Sequence, residues 1–221
     1  MPIQATIKQQ VYQIIKDKIS NGIYKPGEWL QENELASEMN VSRSPVREAL
    51  RHLASDGLVI SVPNKGVFVK EISAKDIQNI YDFRVMLESY AIQRSAENMT
   101  DEIRQAFLNC VSGLKDAHQA NDLQSYIELD TKLHNMIIAL SGNPLVESTY
   151  EKLYSMCKRF RSYSLNDPQR FDESLDEHLS IVQNMLNGNI LEADRINRRH
   201  LELARDKIFD YMTGKITSEK A

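Results

Sequence analysis

Val41-Ser-Arg-Ser-Pro-Val-Arg-Glu-Ala-Leu-Arg51 is the stretch whose reading decides the fold of this chain. The spacing predicts a helix capped by Ser44, with Pro45 in the first helical position, where its missing N–H costs nothing and its fixed φ suits the helix. Val46, Ala49, Leu50 and Leu53 recur at three- and four-residue intervals and form one apolar stripe that must pack on something. Arg47 and Arg51 lie on another face, Arg43 stands just before the cap, and Glu48 is the one acid among them. A basic first turn on an amphipathic helix is the arrangement with which a recognition helix meets base edges and phosphates.

The flanks extend this reading. Upstream, Leu35, Ala36 and Met39 sit at helical spacing within Glu32–Met39, and Asn40-Val41-Ser42 supplies a short break, which together make helix-turn-helix spacing. Downstream, Asp56-Gly57 ends the recognition helix, and Leu58–Val62 and Val67–Val69 are β-rich runs joined through Pro63-Asn64-Lys65-Gly66. The expectation is a β-hairpin wing with Lys65 at its tip. A small structural helical hairpin with a charged surface is the alternative, and it accounts for neither the wing nor its position.

Gly22-Ile-Tyr-Lys-Pro-Gly27, Leu30, Glu34-Leu-Ala36, Val41–Leu50, Leu53, Gly57 and Gly66 together resemble the winged helix-turn-helix domain of GntR-family bacterial regulators, over roughly residues 8 to 72. The resemblance implies that Arg43 and Arg47 make the main contacts to double-stranded DNA, that Ser42 and Ser44 touch its backbone, and that Lys65 and Gly66 bring the wing to the minor groove. Asn33 departs from relatives that carry arginine there, which removes one expected contact from the second helix.

With 221 residues and 42% hydrophobic content, the chain is long enough for a small head, residues 1–72, and a larger second domain, residues 73–221. The net charge of −4 excludes a protein that coats nucleic acid by bulk charge. Residues 1–72 hold 9 basic and 8 acidic side chains, leaving 18 basic and 23 acidic for the rest, so the basic character is local to the recognition helix. Cys110 and Cys157 lie far apart in no paired motif and read as reduced core thiols of a cytosolic protein. The N-terminus lacks an apolar signal region and no stretch is long enough to span a bilayer, so the expected location is the cytoplasm, away from membranes.

From Ser73 onward the pattern is helix after helix: Ile77 to Ala91, a helix capped at Thr100, one from about Asp122 to Leu140, one after Pro144, and two separated by Gly188-Asn189. An antiparallel six-helix bundle is the simplest architecture, making the whole chain mainly α, and the tail after Gly214 reads as disordered.

Asp130 and His134 stand at i and i+4 and project from one helix face, within reach of a common ion. A surface Asp–His pair or a satisfied core histidine has the same spacing, and whether His178 and His200 join them depends on how the helices meet. Leu129-Asp-Thr-Lys-Leu-His134, Leu140-Ser-Gly-Asn143, Glu177-His-Leu-Ser-Ile181, Ala193 and His200 resemble the effector-binding and dimerisation (FCD) domain of the FadR branch, over about residues 74 to 212, with six helices placing it near the VanR-type subgroup. That resemblance implies one divalent metal held by Asp130, His134, His178 and His200; His52 and His118 match no ligand position.

Three imidazoles and a carboxylate suit Zn²⁺ first, with Ni²⁺, Mn²⁺ or Fe²⁺ also possible, and suit Ca²⁺ or Mg²⁺ poorly. Open coordination positions would take a small carboxylate effector, with Arg84 or Arg161 pairing its remaining charge; a salt bridge to an acid such as Glu88 is the other reading of Arg84. The expected function is a ligand-responsive regulator, in the repressor sense, binding a palindromic operator as a homodimer. The alternatives are a metal-dependent enzyme with an accessory DNA-binding head, for which there is no separate general base, nucleophile motif or phosphate-binding glycine loop, and a purely structural ion.

Overall fold

A computed structural model describes residues 6–214, in which ten α-helices, one 3-10 turn and a three-stranded sheet are formed. The tail expected to be disordered lies outside the described residues. Two compact units divide the chain, one made of residues up to Ser73 together with Tyr154–Arg159, the other of Ala74–Leu153 and the residues from Phe160 onward.

The first unit begins with α1 (Ile7–Ser20), whose Thr6 side chain and Gln9 form a capping box. β1 (Trp29–Leu30), α2 (Glu32–Glu38), α3 (Arg43–Ser55), β2 (Val59–Val62) and β3 (Gly66–Val69) follow. Val46, Ala49, Leu50 and Leu53 of α3 are buried against Val11, Ile15 and Ile19 of α1 and Leu35 and Ala36 of α2, as the apolar stripe requires. Asn40, at φ 51°, turns the chain out of α2, and the Val41 N–H donates back to the Ala36 carbonyl at 3.0 Å, which closes the helix-turn-helix.

Two expectations need correction. The cap of α3 is Ser42, not Ser44, and Pro45 therefore occupies the third helical position. None of the N–H groups of the first turn has an acceptor inside the helix, so a proline ring costs no hydrogen bond at the third position either. The hairpin also gains a third strand: the order is β1-β3-β2, all antiparallel, with Trp29 opposite Phe68 and Val59 opposite Val69. A two-residue strand has no periodicity to detect, and only its pairing with β3 defines it.

The second unit contains α4 (Ala74–Asn98), α5 (Asp101–Gln119), α6 (Leu123–Ala139), most of α7 (Pro144–Cys157), the short α8 (Arg161–Leu165), α9 (Pro168–Leu186) and α10 (Ile190–Met212). Thr100, Asp122 and Asp167 cap α5, α6 and α9 with side-chain oxygens. The single helix expected after Pro144 is broken by a 3-10 turn at Lys158–Phe160. Each 3-10 residue advances about 120° instead of about 100°, so three of them rotate the following face by roughly 60°. Arg161, Ser164 and Leu165 of α8 are buried as a result.

Candidate functional site

The helices of the second unit carry a polar cluster into its interior. Asp130 and His134 descend from one face of α6, His178 from α9 and His200 from α10; all four are buried, and one ligand atom from each lies within 4.8 Å of the others. The imidazole centroids are 5.4 Å (His134–His178), 5.3 Å (His134–His200) and 4.4 Å (His178–His200) apart. The four residues singled out in the sequence are thus brought together, while His52 and His118 sit on exposed contacts elsewhere.

Each imidazole is held from behind. His134 Nδ1 lies 2.8 Å from Glu88 Oε2 on α4, His200 Nδ1 lies 2.7 Å from Glu177 Oε2 on α9, and His178 Nδ1 lies 3.1 Å from the Tyr126 hydroxyl. Glu88 can only accept, so His134 carries its hydrogen on Nδ1 and turns a lone pair out through Nε2; at His200 the 2.7 Å contact with Glu177 is shorter than the 3.2 Å approach of the Arg170 Nη2 donor to the same nitrogen and favours the same tautomer. Tyr126 donates to Ser174 Oγ at 3.2 Å, which leaves its oxygen to accept from His178 and produces the same tautomer there.

Electrostatics keep His178 and His200 neutral. Burial, then the neighbouring imidazoles and arginines, hold His178 and His200 well below the ordinary histidine range. Burial opposes the charge on Glu88, but His134 and Arg84 outweigh it and keep its carboxyl far below the usual carboxylate range. Desolvation raises the Tyr126 hydroxyl, so it stays protonated.

A divalent cation fits this donor set. Among the described residues His134 Nε2 and His178 Nε2 are buried with no hydrogen-bond partner, and they face Asp130 Oδ1 at 3.6 and 3.1 Å. Lone pairs directed at a carboxylate oxygen repel one another unless a positive charge stands between them. Carboxylates behind the imidazoles are the outer partners that raise ligand basicity and fix ring orientation.

Next to the donors is a cavity of about 20 Å³ lined by Arg84, Asp130, Arg161, Arg170 and His200 among others. Arg84, expected to face an effector, lines it, yet its Nη2 donates to Glu88 Oε1 at 2.9 Å and to the Tyr150 hydroxyl at 3.3 Å. Arg161 reaches Asp130, and desolvation and the nearby Arg84 press its pKa down to about 9. Sequence reasoning missed Arg170, Tyr126 and Asn197. Arg170 Nη2 donates to Glu177 at 2.7 Å while its Nε and Nη1 are buried without partners among the described residues, and Asn197 donates to Glu88 at 3.1 Å. The available signal for Arg170 was its position two helical turns before Glu177 and His178 on the same face of α9.

In the first unit Ser42, Arg43, Ser44 and Arg47 are all exposed at the start of α3, opposite its buried stripe. Lys65 and Gly66 are exposed at the wing, where the Lys65 N–H closes a turn on the Val62 carbonyl at 3.0 Å with Asn64 at φ 61°. Gly66 has φ 109°, and a Cβ there would stand 2.5 Å from Trp29 Nε1, so glycine is required both by the backbone and by the indole lying over it.

Residues 7–69 match the model of the bacterial regulatory proteins of the gntR family, and residues 79–203 match the FCD domain. The chain is 29% identical to the HTH-type transcriptional regulator YdhC of Bacillus subtilis, over 81% of each chain. It is 28% identical to the transcriptional repressor RspR of Escherichia coli, over 89% of this chain and 86% of that one. To the gluconate operon transcriptional repressor of Bacillus licheniformis it is 27% identical, over 91% and 82%. Among solved structures, Escherichia coli McbR/YncC has the same fold with a TM-score of 0.81 at 20% identity, covering 94% of this chain and 99% of that one. The protein belongs to the gntR family of bacterial regulatory proteins, as a transcriptional regulator with an N-terminal helix-turn-helix domain and an FCD domain.

Proposed function

We propose that this regulator is a cytoplasmic repressor whose grip on a palindromic operator is controlled by a small carboxylate bound at a metal ion. In this reading residues 1–72 bind DNA through Ser42, Arg43, Ser44, Arg47, Lys65 and Gly66, residues 73–221 bind the effector, and the functional form is a two-fold homodimer. Repressors among the relatives support the direction of control.

The observation that carries the metal assignment is the pair of buried Nε2 atoms of His134 and His178, without hydrogen-bond partners among the described residues and directed at Asp130. Asp130, His134, His178 and His200 would hold one divalent transition ion per chain, Zn²⁺ first by donor chemistry, with Ni²⁺, Mn²⁺ or Fe²⁺ also suited. When bound, the ion supplies Lewis acidity toward an anionic oxygen. Charge supports an anionic effector: Arg84, Arg161 and Arg170 balance Glu88, Asp130 and Glu177, so a divalent ion adds two positive charges, one of which a carboxylate would offset. Arg161 and Arg170 are the groups placed to pair with it, while Arg84 acts through Glu88. A relative that represses a gluconate operon has a carboxylate in its name, in keeping with this class.

The test is a thermal-shift panel of small organic acids on the full chain, metal-loaded and chelated, with metal content measured alongside. A ligand that binds only the folded state raises Tm by mass action. A shift with one class of acid that is lost on chelation supports the sensor. Metal without any acid response points to a structural ion, and turnover of an acid points to an enzyme.

A further inference from the structure

The two arginines that the reading above assigns to DNA do not stand free in solvent. Glu32, the first residue of α2, reaches across to the start of α3: Arg47 Nε lies 3.1 Å from Glu32 Oε1 and 3.2 Å from Oε2, and Arg47 Nη2 lies 2.9 Å from Oε2. Arg43 Nη2 touches the same Oε2 at 3.4 Å, a longer and single contact. The carboxylate thus takes the side edge of the Arg47 guanidinium, the one formed by Nε and Nη2.

A guanidinium has five N–H groups in a rigid plane. With the side edge held, Nη1 and the second hydrogen of Nη2 remain as an end-on pair of parallel donors that Glu32 does not engage, on a side chain that is half exposed. Two parallel donors match the O6 and N7 acceptors of guanine in the major groove; adenine offers one acceptor beside a donor at the corresponding edge. The Arg47 ion pair holds the Glu32 carboxyl below the ordinary range, so the clamp is charged at neutral pH.

We infer that Glu32 is a positioning residue that fixes the Arg47 fork so that its end-on edge reads a guanine in each operator half-site. This rests on α3 being the recognition helix. A flexible arginine must lose its rotamer freedom on docking, whereas one already clamped has lost it in the free protein and delivers its two hydrogen bonds in one orientation. Without the clamp Arg47 remains a positive charge near DNA, able to meet a phosphate but no longer committed to one base edge. Glu32 also lies in the first turn of α2, where an acid suits the helix dipole, so the test must read base discrimination and not stability alone.

The experiment uses the full-chain protein and the duplex it selects from a random library, with each guanine replaced in turn by adenine or 7-deazaguanine, titrated by anisotropy across a salt series. Wild type is expected to lose about tenfold or more in affinity at one guanine per half-site, a size typical of a bidentate base contact. Glu32→Gln should reduce that discrimination to within about threefold, with affinity for unrelated duplex and the salt dependence essentially kept. Arg47→Lys, which keeps the charge and loses the fork, should reproduce the loss. Retained discrimination in either variant overturns the inference, as does uniformly tighter binding of Glu32→Gln to every duplex, the mark of simple charge repulsion. Arg47→Ala that binds all duplexes as wild type does would instead overturn the assignment of the recognition face.

Discussion

Glu88 Oε2 on α4 stands 2.8 Å from His134 Nδ1 on α6, while Glu88 Oε1 is held by Arg84 one helical turn away, so a single buried carboxylate decides which nitrogen of this imidazole faces the Asp130–His178–His200 cluster. Glu88→Gln keeps the shape and an acceptor but loses the charge, and metal affinity should fall by about 10- to 100-fold. Glu88→Leu leaves the buried Arg84 without its anion and should cost about 3–5 kcal/mol in unfolding free energy. Competition with a chelator of known affinity and denaturant titration read the two effects; unchanged metal affinity in Glu88→Gln would remove the proposed orienting role.

Tyr126 does for His178 what Glu88 does for His134, but with a neutral oxygen at 3.1 Å. A neutral hydrogen bond contributes about half as much as a charge-assisted one, so Tyr126→Phe should weaken metal binding less than Glu88→Gln does. The same chelator competition ranks the variants, and the reverse order would contradict the proposed hierarchy.

Metal binding and DNA binding should separate by mutation, since their residues belong to different compact units. His134→Ala is expected to abolish tight stoichiometric metal binding and to leave operator affinity in the chelated state unchanged. Arg47→Ala should weaken operator binding and leave metal content alone. Elemental analysis paired with anisotropy reads both.

Gly66→Ala introduces a Cβ where φ is 109° and where Trp29 Nε1 would stand 2.5 Å away. Backbone strain of this kind costs about 1–2 kcal/mol. Trp29→Ala in the same chain should recover only the steric part, because the indole moves and the φ does not. Melting curves of the single and double variants measure the split.

Asp167 caps α9 by accepting the Arg170 N–H at 3.1 Å and pairs with Lys207. Lys207 and the capping N–H hold its carboxyl below the ordinary aspartate value of 3.8, although partial burial opposes them. A depressed folded-state pKa means that the unfolded chain binds the proton more tightly, so the stabilisation is present above 3.8 and is lost as pH falls through the folded value. Asp167→Ala should therefore cost about 0.5–2 kcal/mol near neutrality, with the gap to wild type narrowing in acid. Denaturant midpoints of both proteins at several pH values test the sign, and a gap that widens in acid would refute it.

Periodicity carried most of the fold. The stripe from Val46 to Leu53 and the breaks at Gly57, Pro144 and Gly188-Asn189 are local signals, and they located α3, the wing and the long helices of the second unit. What escaped was decided by partners. Trp29–Leu30 is a strand because β3 pairs with it, and the cap of α3 moved from Ser44 to Ser42 because a proline is as harmless at the third position as at the first. The 3-10 turn at Lys158–Phe160 interrupts a segment with no breaker in its sequence, and it delivers Arg161 to Asp130.

By itself the sequence determined which residues could act: two arginines near the start of the second helix of a helix-turn-helix, and one aspartate with three histidines whose side chains can ligate. Helical spacing settles which of them share a face, because 3.6 residues per turn is a property of the local backbone. Only the tertiary structure decided which nitrogen of each imidazole turns inward and which arginine edge is engaged. Those choices belong to Glu88, Glu177, Tyr126 and Glu32, each from 15 to 52 residues away along the chain, and a hydrogen bond between distant residues exists only once the helices that carry them have packed.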